Sequence, residues 1–524
     1  MAVVSWALVS INIFDKGGEN MKKHFISITL IVFLILGFVW NVCAAPAPQY
    51  GGILKIIAQD IPNNIGYPPQ MDARGMSRAM MWAERLMDVD LNGDLIPVLA
   101  ESWDFAPDGL AITIHLRKGV KFHDGTDFNA EAVKWNFEEG LKTGTVPCGR
   151  FIGPIDIIDD HTVRFNLVKH NSHIIYDLWR PWMVSPTAVK KNGTDWAVSH
   201  AVTTAPFKVV NYQRGILLKL EKFEGYWRPG RPYLDGIEIR VVKEPATSSM
   251  MMQAGQADLW FLATPQEAAD LRDDGFEVRF GTSTFNNIYP DSLNPDSPFA
   301  DKKVREAIEY AIDREAMSNA LGYGFTVPLN QMSPPNTTGY NPDYKGRTYN
   351  PEKAKQLLKE AGHPNGFKTT MELPPTMLNA GTVIKNYLKE IGIDVDLNVL
   401  DMGKFYANQF RNGWKGLHLG VIAVSPEYCV AFIHHLGREP DIKFVSLAKT
   451  EKFLESIDRV LEAPNIPAMR EATKKMVIQA SEDAISIPLY TNPALMVMQK
   501  KVNSNYCKEV YWTGWRICDD WLSK

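Results

Sequence analysis

Strict alternation of apolar and polar residues predicts β-strands at three places in this chain. Every second residue is apolar in segments 112–116, 163–167 and 393–399, and successive side chains of a strand point to opposite faces of a sheet. Asp-Gly pairs at 108–109 and 124–125 flank the first segment and are typical of tight turns. We therefore predict half-buried strands, each with one face against a core.

Apolar residues spaced by three and four predict helices in the second half of the chain. Segment 304–312 carries such residues on one face, and Asp301 stands where a helix N-cap is expected. Segments 453–461 and 468–481 show the same amphipathic pattern. Because strands and helices are mixed along the sequence, we predict an α/β protein.

Proline and glycine predict one further helix and a long loop before it. Asn350 followed by Pro351 is a typical helix start, and Gly362 is a typical helix end. The proline-rich stretch 328–349 is predicted to be a long loop, a kind of segment that often has a function.

The size and charge of the chain narrow the class of protein. A length of 524 residues allows roughly three domains. The chain is 45% hydrophobic and 22% charged, as in ordinary globular proteins, and its net charge of -4 offers no basic surface. We therefore expect no nucleic-acid partner.

The N-terminal region has the pattern of an export signal. In residues 21–44, two lysines precede the uncharged apolar run 25–40, and small residues follow. We predict cleavage after Ala44 or Ala45 and a periplasmic location, or one on the outer face of the cytoplasmic membrane. Retention of the segment as an anchor is the alternative, and residues 1–20 are interpreted as a non-native extension from an over-long gene start.

The cysteines leave two possibilities open. Four of them follow the predicted signal peptide: Cys148, Cys429, Cys507 and Cys518. An even number in an exported chain permits disulfides. Cys507 and Cys518 are close enough in sequence to form a disulfide that fixes the C-terminal segment. Buried free thiols are the alternative.

Motifs of catalysis and metal binding are missing from the sequence. It contains no Gly-x-Ser-x-Gly elbow, no His-Glu-x-x-His and no Walker loop. The spacing of its carboxylates singles out no acid/base pair. We therefore expect no enzyme activity, no metal and no cofactor.

Five blocks of sequence, in order, resemble family 5 extracellular solute-binding proteins, the dipeptide- and oligopeptide-binding group of ABC importers. The first block is LAESW at 99–103 with IHLRKGVKFHDG at 114–125 and FNAEAV at 128–133; the others are YWRPGRPYLDGI at 226–237, QAGQADL at 253–259, VREAI and AIDR within 304–314, and AKQLLKEAG at 354–362. The resemblance extends from about residue 51 to about residue 488. Most of these residues make turns or bury helix faces, so the blocks identify the fold and say little about the ligand.

The resemblance implies an α/β, two-lobed periplasmic-binding-protein fold, type II and cluster C-like, with an extra inserted domain. Lobe 1 would comprise 45–90, 206–285 and 489–524, the inserted domain 91–205, and lobe 2 286–488. The ligand would lie in the cleft between the lobes.

The implied function is capture of a peptide or related small solute and its delivery to the permease and ATPase subunits of an ABC importer, by a monomer. Two alternatives stay open. The same fold could bind a non-peptide solute, such as an oligosaccharide, an opine or a metal chelate, and a remote alternative is a secreted hydrolase.

Two departures from the family pattern bear on these expectations. Members often have Gly-Thr-Gly-Pro where this chain has Thr-Thr-Ala-Pro at 203–206, so this turn must avoid positive φ or be strained. Peptide binders also resemble one another in a Trp-x-Ala-Asp-Tyr segment whose Asp anchors the α-amino group of the peptide. Val424 stands at the position of that Asp, so free-amine peptides are predicted to bind poorly unless Glu427 or Asp60 substitutes.

The predicted ligand-binding residues come from the loop after the first strand, the lobe junction, the altered block and the returning strand. They are Asp60, Asn63, Asn287, Tyr289, Val424, Ser425, Glu427, Tyr428 and Tyr490.

Overall fold

A computed structural model describes residues 47–71, 78–146, 149–427, 436–438, 444–508 and 515–524. Residues 49–524 belong to one compact unit. The predicted extension 1–20 and the predicted signal peptide 21–44 lie outside the described residues. In the part of the chain that is described, no helix is long and apolar enough to cross a membrane.

Strands and helices are mixed along the described chain. In chain order the strands are β1 Ile53–Ala58, β2 Met87–Val89, β3 Leu95–Pro97, β4 Ala100–Phe105, β5 Ala111–Leu116, β6 Ile152–Asp159, β7 Thr162–Leu167, β8 Phe207–Gln213, β9 Leu217–Lys222, β10 Gly236–Val241, β11 Leu259–Phe261, β12 Glu277–Pro290, β13 Phe367–Leu373, β14 Ile393–Val399, β15 Leu417–Ala423, β16 Ile487–Met498, β17 Val502–Asn503 and β18 Trp521–Leu522.

The α-helices are, in chain order, α1 Ala130–Thr143, α2 Ile174–Leu178, α3 Pro186–Asn192, α4 Thr194–Ala197, α5 Pro245–Gln253, α6 Pro265–Asp273, α7 Lys302–Ala311, α8 Arg314–Gly322, α9 Pro351–Glu360, α10 Leu378–Glu390, α11 Met402–Ala407, α12 Glu451–Leu461 and α13 Ile466–Glu482.

A ten-stranded mixed sheet forms the frame of the molecule. Its strand order is β14-β13-β15-β12-β16-β11-β1-β10-β9-β8. The antiparallel pair β12 and β16 is the longest in this sheet, and at 14 residues β12 spans about 45 Å. These two strands connect the half of the sheet that holds β13, β14 and β15 to the half that holds β1 and β8 to β11.

A second sheet, of order β4-β5-β7-β6, lies in the first third of the chain. Its apolar positions alternate as predicted, and Ile114 pairs with Val163 across β5 and β7. Helix α1 packs on this sheet, where the rings of Phe137 and Phe165 meet edge to face at 4.7 Å. Asn129 caps α1 by accepting a hydrogen bond from the Ala132 amide at 3.0 Å.

The elements predicted from periodicity are confirmed. Segments 112–116, 163–167 and 393–399 lie in β5, β7 and β14. The helix predicted over 304–312 is α7, which ends one residue earlier, and the other three predicted helices are α9, α12 and α13. Asp301 and Asn350 cap α7 and α9 through bonds of 2.8 and 2.9 Å. The predicted loop 328–349 contains no helix or strand.

The turn at 203–205, where family members have glycines, avoids positive φ: none of these three residues has that conformation. Both threonines of this turn use their hydroxyls: Thr203 Oγ1, at a glycine position of the family, donates to the Trp82 carbonyl at 2.7 Å, and Thr204 Oγ1 donates to Glu84 at 2.9 Å.

The C-terminal cysteines, Cys507 and Cys518, are free thiols and are not joined by a disulfide. Cys518 is buried and Cys507 partly buried, and burial raises the pKa of each thiol to about 12. Cys148 and Cys429 lie outside the described residues.

Candidate functional site

The antiparallel pair of β12 and β16 is irregular and polar near its middle. We call this part of the pair, from Thr282 to Asn287 of β12 with the facing residues of β16, the crossing. The register of the pair shifts between Thr282 and Thr284 and again between Phe285 and Asn287. Such bulges bend a strand and interrupt its ladder of hydrogen bonds. Bending the sheet here therefore disturbs fewer regular bonds than it would in an uninterrupted ladder.

Side chains replace the missing ladder bonds at this point. Asn492 of β16 accepts from Asn286 Nδ2 at 2.8 Å and donates to Thr284 Oγ1 at 3.1 Å. Ser283 Oγ donates to the Asn492 carbonyl at 3.1 Å. One asparagine thus connects both strands across the crossing.

Two predicted site residues lie on β12 close to the crossing. Asn287 is fully buried and accepts a hydrogen bond from Ser486 Oγ at 3.1 Å. Tyr289 is also fully buried, with its ring 4.4 Å from that of Phe444. Burial raises the pKa of Tyr289 well above its ordinary value, so it is a neutral phenol.

Tyr490 lies on β16 but packs in a different core. It is 6% exposed and belongs to the apolar cluster around Ile288 and Leu489, whereas Tyr289 belongs to the cluster around Phe285 and Met332. Burial raises the pKa of Tyr490 to about 12. The two tyrosines are close along the sheet but do not share an environment.

Val424 and Ser425 follow β15 directly and lie beside the crossing. The Val424 amide donates to the Ser283 carbonyl at 2.9 Å, which extends the pairing of β15 with β12. Val424 is 4% exposed, and Ser425 is partly exposed. The predicted residues on β12, β15 and β16 are thus brought to adjacent strands.

Glu427 is fully buried and already has a cationic partner. Arg470 of α13 donates from Nε to Glu427 Oε2 at 2.9 Å, and Thr338 Oγ1 donates to Oε1 at 2.8 Å. Arg470 also reaches the Gly93 carbonyl at 2.8 Å and the Asp94 carboxylate at 2.9 Å. Tyr428 lies outside the described residues.

Asp60 and Asn63 lie after β1, on the other half of the sheet. Asp60 forms an ion pair with Arg78. Asn63 is exposed and accepts from Arg214 Nε at 2.7 Å. Arg214 follows the edge strand β8, five strands from β16, so Asn63 is not brought to the crossing.

The residues that neutralise or connect the predicted ones were not predicted from the sequence. Arg470 pairs with Glu427 and Arg78 pairs with Asp60. Asn492 connects β16 to β12 by hydrogen bonds. No local pattern marks them, since Arg470 and Gly93 are 377 positions apart. Neither spacing nor periodicity within one segment reports such a contact.

Comparison with known proteins decides which family this architecture represents. The model of bacterial extracellular solute-binding proteins, family 5 (middle), matches residues 94–426. The chain belongs to this family. Family 5 consists of solute-binding proteins and not of enzymes, and it is extracellular by description.

Two family 5 relatives are glutathione-binding proteins GsiB, from Shigella flexneri and Escherichia coli. Each is 34% identical over 354 residues, which covers 66% of this chain and 69% of the relative.

Solved structures confirm the two-lobed periplasmic-binding-protein fold. DppA of Helicobacter pylori in complex with the peptide STSA has a TM-score of 0.78 at 22% identity and covers 91% of this chain and 99% of its own. AgaA of A. tumefaciens with agropinic acid gives 0.76 at 22% identity, covering 90% and 99%. NikA of Brucella suis with Fe(III)-EDTA gives 0.78 at 22% identity, covering 89% and 100%. The chain is a solute-binding protein.

Proposed function

We propose that the protein holds a peptide or related small solute between its lobes, beside the crossing of β12 and β16, without a carboxylate for a free ammonium group. The glutathione named for GsiB and the peptide named for DppA support a peptide-like solute. Agropinic acid and Fe(III)-EDTA, named for AgaA and NikA, support a non-peptide solute as the alternative.

The pairing of both acidic candidates carries the proposal. Glu427 is bound to Arg470, and Asp60 is bound to Arg78. An incoming ammonium would have to compete with a guanidinium that is already in place. A charge-assisted hydrogen bond contributes about 1.5–3 kcal/mol, so its absence lowers the affinity for a free amine by more than about tenfold.

The solute would be captured by closure of two lobes with the boundaries that the family implies. Lobe 1 would comprise 45–90, 206–285 and 489–524, and lobe 2 would comprise 286–488. The inserted domain would comprise 91–205. The sheet supports this division, because β12 and β16 are the long strands that run through both of its halves. A solute that contacts both lobes shifts the population toward the closed state. The closed state would then be presented to the permease and ATPase subunits.

We place the mature, monomeric protein in the periplasm, after export by residues 21–44. It would carry out no chemistry on its solute. Sequencing of the mature N-terminus should begin after Ala44 or Ala45, and a start at Met21 would contradict export with cleavage.

Restoring a carboxylate at the altered position tests the ligand proposal. In the Val424→Asp variant, a free-amine tripeptide should bind at least about tenfold more tightly than its N-acetylated form, because the new carboxylate pairs with the amine. Isothermal titration calorimetry measures both affinities. Val421→Asp, on β15 at a partly exposed position, controls for added charge and should show no preference.

A folded Val424→Asp protein without an amine preference would contradict the placement of residue 424 in the cleft. Thermal unfolding of the variant establishes that it is folded. Mass spectrometry of the solute that co-purifies with natively produced protein decides separately between a peptide and a non-peptide ligand.

A further inference from the structure

A small cavity in the first half of the chain lies against the C-terminal segment. Its volume is about 50 Å³. Three guanidinium groups and two carboxyl groups line it: Arg85, Arg228, Arg516, Glu84 and Asp88. It is too small for the solutes of this family, because pockets for such molecules measure about 300–1,000 Å³.

The carboxyl groups of the cavity are hydrogen-bonded by neutral donors. Glu84 accepts from Tyr226 Oη at 2.7 Å, Trp227 Nε1 at 3.0 Å and Thr204 Oγ1 at 2.9 Å. Asp88 accepts from Trp179 Nε1 at 3.1 Å. These acids therefore do not need the arginines in order to be satisfied.

Arg85 is buried among aromatic rings, and the described residues leave two of its guanidinium nitrogens without an acceptor. Its guanidinium lies 3.7 Å from the ring centre of Trp182 and 4.5 Å from that of Trp179, and its side chain is 6% exposed. Its Nε and Nη1 have no hydrogen-bond partner among the described residues. Asp88 is 3.9 Å from Nη1, at the outer limit of an ion pair.

Arg85 remains a cation despite its burial. Burial lowers the pKa of Arg85 to about 10, which is still far above neutral pH. A buried charge without hydrogen-bonded partners is costly, and the aromatic faces supply no acceptor atom for its N–H groups. The missing component is an acceptor with negative charge.

We propose that this cavity binds one small monovalent anion, such as chloride or formate, next to the guanidinium of Arg85. Arg228 and Arg516 add positive charge to the same cavity. Asp519, which follows the lining residue Cys518, is paired with Arg231 Nε at 2.5 Å and lies 3.9 Å from Arg516 Nε. The three cationic groups against two carboxyl groups in the lining favour a single negative charge.

The anion would bridge two parts of the chain that are distant in sequence. Arg85 and Asp88 flank the start of β2, whereas Arg516 and Cys518 belong to the C-terminal segment. A ligand that binds the folded state and not the unfolded state raises the unfolding temperature as its concentration rises. The solute cleft takes no part in this effect.

The test is thermal unfolding at constant ionic strength, with sodium chloride replacing sodium gluconate, whose anion is larger than the cavity. The wild-type midpoint should rise saturably, by about 3 °C at a hundredfold excess over the dissociation constant. Arg85→Met should abolish the saturable rise. Arg272→Met is the matched control, since Arg272 lies over the Phe325 ring at 5.2 Å outside the cavity, and it should keep the rise.

A direct readout is the anomalous signal of bromide in crystals of the wild-type protein. A bromide peak beside Arg85 is expected, and its absence would overturn the proposal. An equal chloride effect in Arg85→Met and wild type would overturn it as well, because the effect would then be one of general salt. If Arg85→Met does not fold, the bromide peak decides alone.

Discussion

Arg470 is a partly buried arginine and Arg85 a buried one, and the two differ in the acceptors around them. Arg470 is bound to Glu427, Asp94 and the Gly93 carbonyl. Burial alone would lower the pKa of Arg470, but the hydrogen bond and charge of Glu427 outweigh burial and raise it. Arg85 lies against aromatic faces, its Nε and Nη1 find no acceptor in the described part of the chain, and burial lowers its pKa.

The difference separates two uses of a buried cation. The Arg470 site is complete within the protein, so it occupies a carboxylate that could otherwise bind a ligand amine. The Arg85 site is incomplete within the described residues, and so it offers its N–H groups to a small anion. Substitution of Arg470 should therefore destabilise the protein far more than substitution of Arg85.

The largest effect is expected for Arg470→Met, which leaves Glu427 buried and without its cation. Removing one partner of a buried ion pair destabilises a protein by about 3–5 kcal/mol. Urea unfolding, followed by tryptophan fluorescence, measures the loss. The double variant Arg470→Met/Glu427→Gln should recover part of it, because no buried charge remains.

An exposed arginine provides the control for Arg470. Arg438 pairs with Glu451 and Asp458 at 2.6 and 3.0 Å on the surface, where solvent screens the charges. Arg438→Met should lose far less stability than Arg470→Met. Equal losses would show that burial of Glu427 does not set the energy of the pair.

A smaller loss is expected for Arg305→Met. Arg305 is 6% exposed, and its N–H groups are bound only to carbonyls, those of Phe299, Ala300, Asp483 and Ala484, at 2.9–3.0 Å. The substitution removes charged hydrogen bonds but leaves no buried carboxylate, so about 2–3 kcal/mol should be lost. Urea unfolding measures this loss of free energy of unfolding. A loss larger than that of Arg470→Met would contradict the expectation that an unpaired buried carboxylate costs more than lost bonds to carbonyls.

The smallest change is expected for Arg85→Met in buffer without small anions. The variant loses the contacts with Trp179 and Trp182 but also loses a buried cation without an acceptor. These effects offset each other, so the free energy of unfolding should stay within about 1 kcal/mol of wild type. A loss as large as that of Arg305→Met would mean that Arg85 is satisfied within the protein.

Local patterns were sufficient to predict several elements of the fold. The alternation in β5, β7 and β14 and the caps at Asp301 and Asn350 depend on neighbouring residues, and all of them were found as predicted. Blocks of family sequence predicted the two-lobed fold, because they encode turns and helix faces that recur with it. The loss of glycine at 203–205 also had its predicted consequence for φ.

The charge balance of the site could not be predicted in this way. Trp227 lies in one of the blocks that identify the family, but its bond to Glu84 spans 143 positions. Glu427 was considered as a substitute anchor, and its pairing with Arg470 depends on how α13 packs against the end of β15. Tertiary packing decides whether a carboxylate is available, and the spacing of residues along the chain does not report it.

The most direct test of the central claim is calorimetric titration of the wild-type protein with one tripeptide in free-amine and N-acetylated forms, and with glutathione as a further ligand. Because Asp60 and Glu427 are paired with arginines, the two forms of the tripeptide should bind with dissociation constants that agree within about threefold, well below the tenfold of a charged anchor. Tight binding of the free-amine form, with loss of affinity by tenfold or more on acetylation, would contradict the account.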